Sequence, residues 1–125
     1  MEVNNALLTQ VGGSHYKNLN MQPVEFIVKA NLSYIQGNIV KYITIYKDKN
    51  GLHDIEKCMR YAQLAIDLDS TGPQNRMLGL AYSYCKVNNL SQHQTNIISA
   101  CVQDDYYLVI RYCKQLLKAE KNNAV

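Results

Sequence analysis

The residues best suited to chemistry fall in three runs of the first half of the chain: His15-Tyr16-Lys17, Gly37-Asn38-Ile39-Val40-Lys41-Tyr42 and Lys47-Asp48-Lys49-Asn50-Gly51. A lysine ammonium is a point donor to phosphate oxygens, and a glycine-bearing turn leaves backbone amides open to an anion. A tyrosine ring beside such lysines can stack on a base. The set His15, Tyr16, Lys17, Asn38, Lys41, Tyr42, Lys47 and Lys49 therefore reads as a pocket for a nucleotide phosphate. The competing reading is a solvated rim, in which lysine stems lie over the core and their heads stay in water. In that reading His15 is a surface histidine, and Asp54 and Glu56 near Lys57 are first-turn helix acids.

Several chemistries lack their sequence signature. There is no G-x-x-x-x-G-K-[ST], no G-x-G-x-x-G, no G-x-S-x-G and no H-E-x-x-H. Cys58, Cys85, Cys101 and Cys113 are scattered, with no C-x-x-C pair and no Cys/His spacing for zinc. Each lies among apolar residues at helical spacing, which predicts buried free thiols and no structural metal. Net charge is +3, from 13 Lys and Arg against 10 Asp and Glu. That excess is too small to make a nucleic-acid partner the expectation. No apolar run approaches the roughly 18–20 residues that span a bilayer, and Met1 to Asn5 has no basic or apolar leader character. The expectation is an intracellular protein without a membrane partner.

The elements that must position these residues read as all-α, about six helices behind an irregular arm. Residues 1–22 lack a sustained period and contain Gly12-Gly13-Ser14, so they read as a loop or a short strand. Pro23 suits a first helical turn, and Val24, Ile27 and Val28 share a face up to Ala30, before Asn31-Leu32-Ser33 breaks the pattern. From Ile35 to Lys47 the residues Ile35, Ile39, Ile43 and Tyr46 make an apolar stripe, with Asn38, Lys41 and Ile45 offset from it. The β-branched run there would also suit a strand. Asn50-Gly51 ends that element, and Leu52 to Asp67 follows as a helix burying Ile55, Met59, Ala62 and Ile66 with Cys58 and Ala65.

Asp69-Ser70-Thr71-Gly72-Pro73 is the clearest hinge, dividing a phosphate-binding region (1–69) from a helical packing or oligomerisation region (70–125) within one domain. Beyond it, Met77, Leu80, Ala81, Tyr84 and Val87 form a stripe that ends at Asn88-Asn89. Ser91-x-x-Gln94 is a capping box for a helix carrying Ile98, Cys101 and Val102. Asp104 is placed to cap the last helix, which repeats Val109, Tyr112, Cys113, Leu116 and Leu117, and Asn122 to Val125 reads as a frayed tail. No internal repeat stands out. Modest stripes in a short chain suggest a homo-oligomer, in which subunits share core area.

The order His15-Tyr16-Lys17, Gln22-Pro23-x-Glu25-Phe26-Ile27, Gly37-Asn38-x-Val40-Lys41-Tyr42-Ile43, Lys49-Asn50-Gly51-x-x-Asp54, then Lys57 and Tyr61, resembles the SaV-like family of phage proteins. The resemblance covers about residues 15–66 and leaves out the C-terminal helices. It implies a phage or prophage protein in the cytoplasm of a bacterial host. One relative in that family resembles a deoxynucleoside monophosphate kinase without a P-loop. Carried over, this implies phosphate clamping by Lys17, Lys41, Lys47 and Lys49, base contact by Tyr42, orientation by Asn38 and His15, and Asp54 as the acid of any catalysis, with Mg2+ as cofactor. Family members often carry an arginine where this chain has Ile45, and isoleucine cannot replace a bidentate phosphoryl clamp. Three functions follow as expectations: a binding protein holding a nucleotide, such as a cyclic or other host antiviral signal; a P-loop-less nucleotide kinase; and an interaction module for a host protein.

Overall fold

The computed structural model describes residues 5–9, 16, 18–48, 51–70 and 77–123. Among them are seven α-helices, one 3-10 turn and no strand, so the chain is all-α as its periodicity predicts. In order they are α1 (Asn5–Leu8), α2 (Pro23–Lys29), α3 (Tyr34–Ile45) with the 3-10 turn Tyr46–Asp48, α4 (Leu52–Asp67), α5 (Leu78–Val87), α6 (Gln92–Val102) and α7 (Tyr106–Asn123). The arm, expected to be loop or strand, holds the helical turn α1 in its described part, and the Gln22 side-chain amide donates to the Leu7 carbonyl. The Thr71-Gly72-Pro73 part of the hinge lies outside the described residues.

Local chemistry sets the helix starts. Pro23 occupies the first turn of α2, and the Glu25 carboxylate accepts from the Gln22 amide at 2.9 Å. Ser33 and Gln36 form a reciprocal capping box on α3, and Ser91 and Gln94 form the expected one on α6. Gly51 takes φ 55°, the positive-φ backbone that lets the 3-10 turn end and α4 begin.

The core corrects some expected faces. On α2 the Val24/Val28 face points outward, at 51% and 71% exposure, and Phe26 and Ala30 are buried. The reason is a ring stack, Phe26 on Tyr84 of α5 with centroids 4.7 Å apart and planes 18° apart. The same stack turns α5 so that Ala81, Tyr84 and Cys85 face inward while Met77 and Val87 are exposed. Ile45, expected beside Asn38 and Lys41, is fully buried. Asp105, not Asp104, caps α7, accepting from the Leu108 amide at 3.1 Å. Asp104 takes φ 61° and accepts from the Tyr106 hydroxyl at 2.6 Å instead. Asn122 and Asn123, expected to fray, continue α7.

All four cysteines are free and buried, as expected. Burial raises the thiol pKa of Cys58, Cys85 and Cys101, and pushes that of Cys113 up to about 12. An acid with a raised folded pKa adds stability below its unfolded value, and that stability is lost as pH rises toward the folded value. The melting temperature is therefore expected to fall from about pH 9 upward, where unfolded thiols ionise and buried ones do not. At pH 8 an aromatic disulfide reagent should leave all four thiols untouched until guanidinium is added. Prompt reaction of the folded protein would contradict this burial.

The two halves of the core share a plan that the sequence reading did not detect. Asn31-Leu32-Ser33-x-x-Gln36-x-Asn38-Ile39 recurs as Asn89-Leu90-Ser91-x-x-Gln94-x-Asn96-Ile97. Asn31 and Asn89 take φ 53° and 54°. In each half the next leucine amide closes the preceding helix, Leu32 on the Ile27 carbonyl at 3.0 Å and Leu90 on the Cys85 carbonyl at 2.9 Å. The buried glutamines then reciprocate: Gln36 Nε2 donates to the Cys101 carbonyl at 3.1 Å, and Gln94 Nε2 donates to the Ile43 carbonyl at 2.8 Å. Such an exchange is what a twofold relation between α3 and α6 produces. α7 packs along α4 and α6, and α4 packs along α3, so the C-terminal helices complete the core behind the first half. The second half thus adds its core area to that of the first. Gln36→Leu and Gln94→Leu should each lower stability by about 1–3 kcal/mol, because each deletes a buried hydrogen bond between the halves together with one side of a capping box. Equal losses in denaturant titration fit the twofold relation, whereas a loss at one position alone would not.

Candidate functional site

The face that carries the sequence candidates is built by α3 and α4 with α2 along one edge. Lys41 and Tyr42 project from the solvent side of α3, and Lys57 and Tyr61 stand one turn apart on α4. Lys41 Nζ lies 4.5 Å from the centroid of the Tyr42 ring and Lys57 Nζ lies 4.8 Å from it. The Tyr42 ring also stacks on Tyr61 at 6.0 Å, and Tyr61 meets Tyr34 edge-on at 6.2 Å. Tyr34, at 76% exposure, is the open end of this row. Beneath it Asp54 is fully buried in the first turn of α4, where a carboxylate complements the helix dipole. Its oxygen lies 3.5 Å from Lys57 Nζ.

Two hollows meet at Lys41. One, about 400 Å³, is lined by Thr9, Tyr16, Gln22, Pro23, Val24, Ile27 and Lys41. The other, about 250 Å³, is lined by Ile27, Leu32, Ser33, Tyr34, Gly37, Asn38 and Lys41. The outward Val24/Ile27 face of α2 thus serves as an apolar wall. Gly37 makes the close approach of the two helices possible, since a Cβ there would lie 3.3 Å from Ile27 Cγ2. Asn38 Nδ2 donates to the Tyr34 carbonyl at 2.8 Å, which fixes the amide at the rim. The phenol of Tyr16 is raised in pKa, first by burial and then by the Asp54 carboxylate and Tyr42. Among the described residues Lys41 has no carboxylate within ion-pair distance.

The structure thus brings together Tyr16, Asn38, Lys41 and Tyr42 of the sequence candidates, with Asp54 enclosed beneath them. Lys47 stands elsewhere. Six residues past Lys41 is roughly 120° round a helix axis, and Lys47 lines a separate hollow with Tyr46, Gly51, Leu52 and Glu120. The Tyr46 hydroxyl donates to Glu120 at 3.2 Å, so that hollow belongs to the α3–α7 edge. His15, Lys17 and Lys49 lie outside the described residues. Tyr34, Lys57 and Tyr61 were not among the candidates from residue type, although Asp54, Lys57 and Tyr61 recur at three and four on α4 and share one face with Tyr42.

Residues 10–63 match a family model described as a protein of unknown function, DUF3310. That stretch holds every residue just described on the α3–α4 face and none of α5 to α7. No curated protein and no solved structure matches the chain. Among the described residues no three His, Cys, Asp or Glu gather as metal ligands, and no helix is long and apolar enough to cross a membrane.

Proposed function

We propose that the α3–α4 face binds a nucleotide, with Lys41 as the principal phosphate donor and the hollow against α2 receiving the base. The observation that supports this most is the convergence of two ammoniums on one ring, Lys41 and Lys57 within 5 Å of the Tyr42 centroid. Lys57 has Asp54 beside it, whereas Lys41 looks into the apolar-walled hollows, the combination of cation and apolar wall that a nucleotide needs. The ring of Tyr42 is engaged by lysines and by Tyr61, so the exposed Tyr34 ring is the better surface for a base that reaches the second hollow.

The reading is one of holding the nucleotide, with no chemistry assigned. Asp54 is enclosed and Ile45 is buried, so neither a solvent-facing acid nor a phosphoryl clamp is offered at those positions. The resemblance to phage proteins supports a binder that acts in an infected cell, where capture of a signalling nucleotide needs affinity alone. The test is a thermal-shift screen against mononucleotides, dinucleotides and cyclic nucleotides, with and without Mg2+, since a ligand of the native state raises the melting temperature. A magnesium-independent shift with the nucleotide recovered unchanged is expected. Diphosphate formed from a deoxynucleoside monophosphate and ATP would replace this reading with a kinase, and no shift with any nucleotide would end it.

A further inference from the structure

We infer that residues 77–123 are a second copy of the α2–α4 unit, seated where a second subunit would sit, and that its counterpart of the nucleotide face has been emptied, so that one chain holds one nucleotide. The second clause rests on the nucleotide reading; the first does not. In α2–α3 and α5–α6 the halves align residue for residue, Phe26 with Tyr84, Ser33 with Ser91, Gln36 with Gln94, Ile39 with Ile97 and Ile43 with Cys101. In α4 and α7 Arg60-Tyr61 aligns with Arg111-Tyr112, and the buried Ile55, Cys58, Ala62 and Ala65 fall on the buried Tyr106, Val109, Cys113 and Leu116. The N-cap serines agree in backbone angles, φ −67° and ψ 168° against φ −68° and ψ 167°.

The contacts between halves join counterpart to counterpart, as a twofold axis requires. Phe26 stacks on its own counterpart Tyr84. Gln36 donates to the carbonyl of Cys101, and their counterparts Gln94 and Ile43 make the same bond in reverse. Symmetric homodimers meet in this isologous way.

The positions that differ include those of the nucleotide face. Tyr34, Lys41, Tyr42 and Lys57 correspond to Gln92, Ser99, Ala100 and Leu108, which removes both ammoniums and two rings. A hollow remains at the counterpart place, lined by Tyr82, Cys85, Leu90 and Thr95 with the exposed Lys86 at its rim. Residues that join the halves have been kept while those that would hold a phosphate have been lost. The family match accordingly covers the first unit and stops before the second.

Two measurements on the full chain separate the clauses. In the first, a protease site is inserted within 71–76 and cut after folding. A second copy in a subunit's place keeps the two pieces together at the 14.3 kDa of the parent chain, with the helical signal intact. Separation of the pieces, or unfolding on cutting, overturns the first clause. In the second, calorimetric titration with dAMP as probe is expected to give one site per chain, lost in Lys41→Ala. Two sites per chain overturn the emptied face while leaving nucleotide binding in place. No heat from dAMP or from any other nucleotide of the thermal screen sinks the nucleotide reading, and the one-nucleotide clause with it, without touching the cleavage result.

Discussion

Lys41→Ala should weaken binding of the best nucleotide from the thermal screen by about tenfold to a hundredfold, the range of one charged hydrogen bond of about 1.5–3 kcal/mol. The effect is expected to be that large because Lys41 is the charged one of the two residues, with Ile27, that line both hollows, and no carboxylate among the described residues competes for its ammonium. The free protein should melt close to the parent, since the ammonium of this partly buried lysine gives up chiefly its contact with the Tyr42 ring. Lys47→Ala is the internal control. It removes the same charge from the separate hollow beside Glu120 and should leave affinity unchanged. Calorimetric titration of both variants decides the matter. Equal losses at Lys41 and Lys47 would mean a diffuse electrostatic effect, and no loss at either would return the lysines to a solvated rim. Raising ionic strength separates the same cases, because a diffuse attraction is screened beyond a Debye length of about 8 Å while a contact ion pair is screened less.

Most of the architecture was legible because the helices announce themselves locally. Leu52 to Asp67 is bounded by a glycine of positive φ and a turn, and its apolar residues recur at three and four, so pattern and structure agree on its limits. Ser91-x-x-Gln94 names its own start. What sequence could not supply is which of two similar faces turns inward. α2 is seven residues long with Val24, Ile27 and Val28 opposite Phe26, and the choice was made by a ring on α5 that lies 58 positions away. The internal repeat is hidden in the sequence for a related reason. Its shared residues are packing and capping positions, spread thinly over two registers, and the chemistry-bearing residues that draw attention are the ones that differ. The candidate site was half legible. Lysine beside tyrosine marks Lys41 and Tyr42, but whether Lys47 joins them depends on a helical rotation, and the parts played by Tyr34, Lys57 and Tyr61 depend on how α4 lies across α3.

Asp54→Ala is expected to destabilise the fold by about 2–4 kcal/mol, a fall of roughly 6–15 °C in melting temperature for a domain of this size. The carboxylate is completely buried, so its removal leaves a small void in the packed interior. It also strips the first turn of α4 of its acid and leaves Lys57 without the ion pair now 3.5 Å long. The exposed side of Lys57 limits that last contribution, because water can solvate the freed ammonium. Asp54→Asn keeps the volume and part of the hydrogen bonding and should fall between Ala and the parent. A second readout tests the location of the charge. The Tyr16 phenol is raised first by burial and second by Asp54, so in Asp54→Asn its pKa should drop toward the ordinary tyrosine value without reaching it. A raised phenol adds stability below its unfolded pKa that is lost as pH rises through the folded one, and the variant should therefore lose less of its stability on going above about pH 10 than the parent does. Ultraviolet titration of the tyrosines follows this directly. If Asp54→Ala melts with the parent, the carboxylate is not part of the scaffold. A buried acid kept at no benefit to the fold, under two lysines and a row of tyrosines, would then be one retained for chemistry, and the kinase reading would displace the binding one.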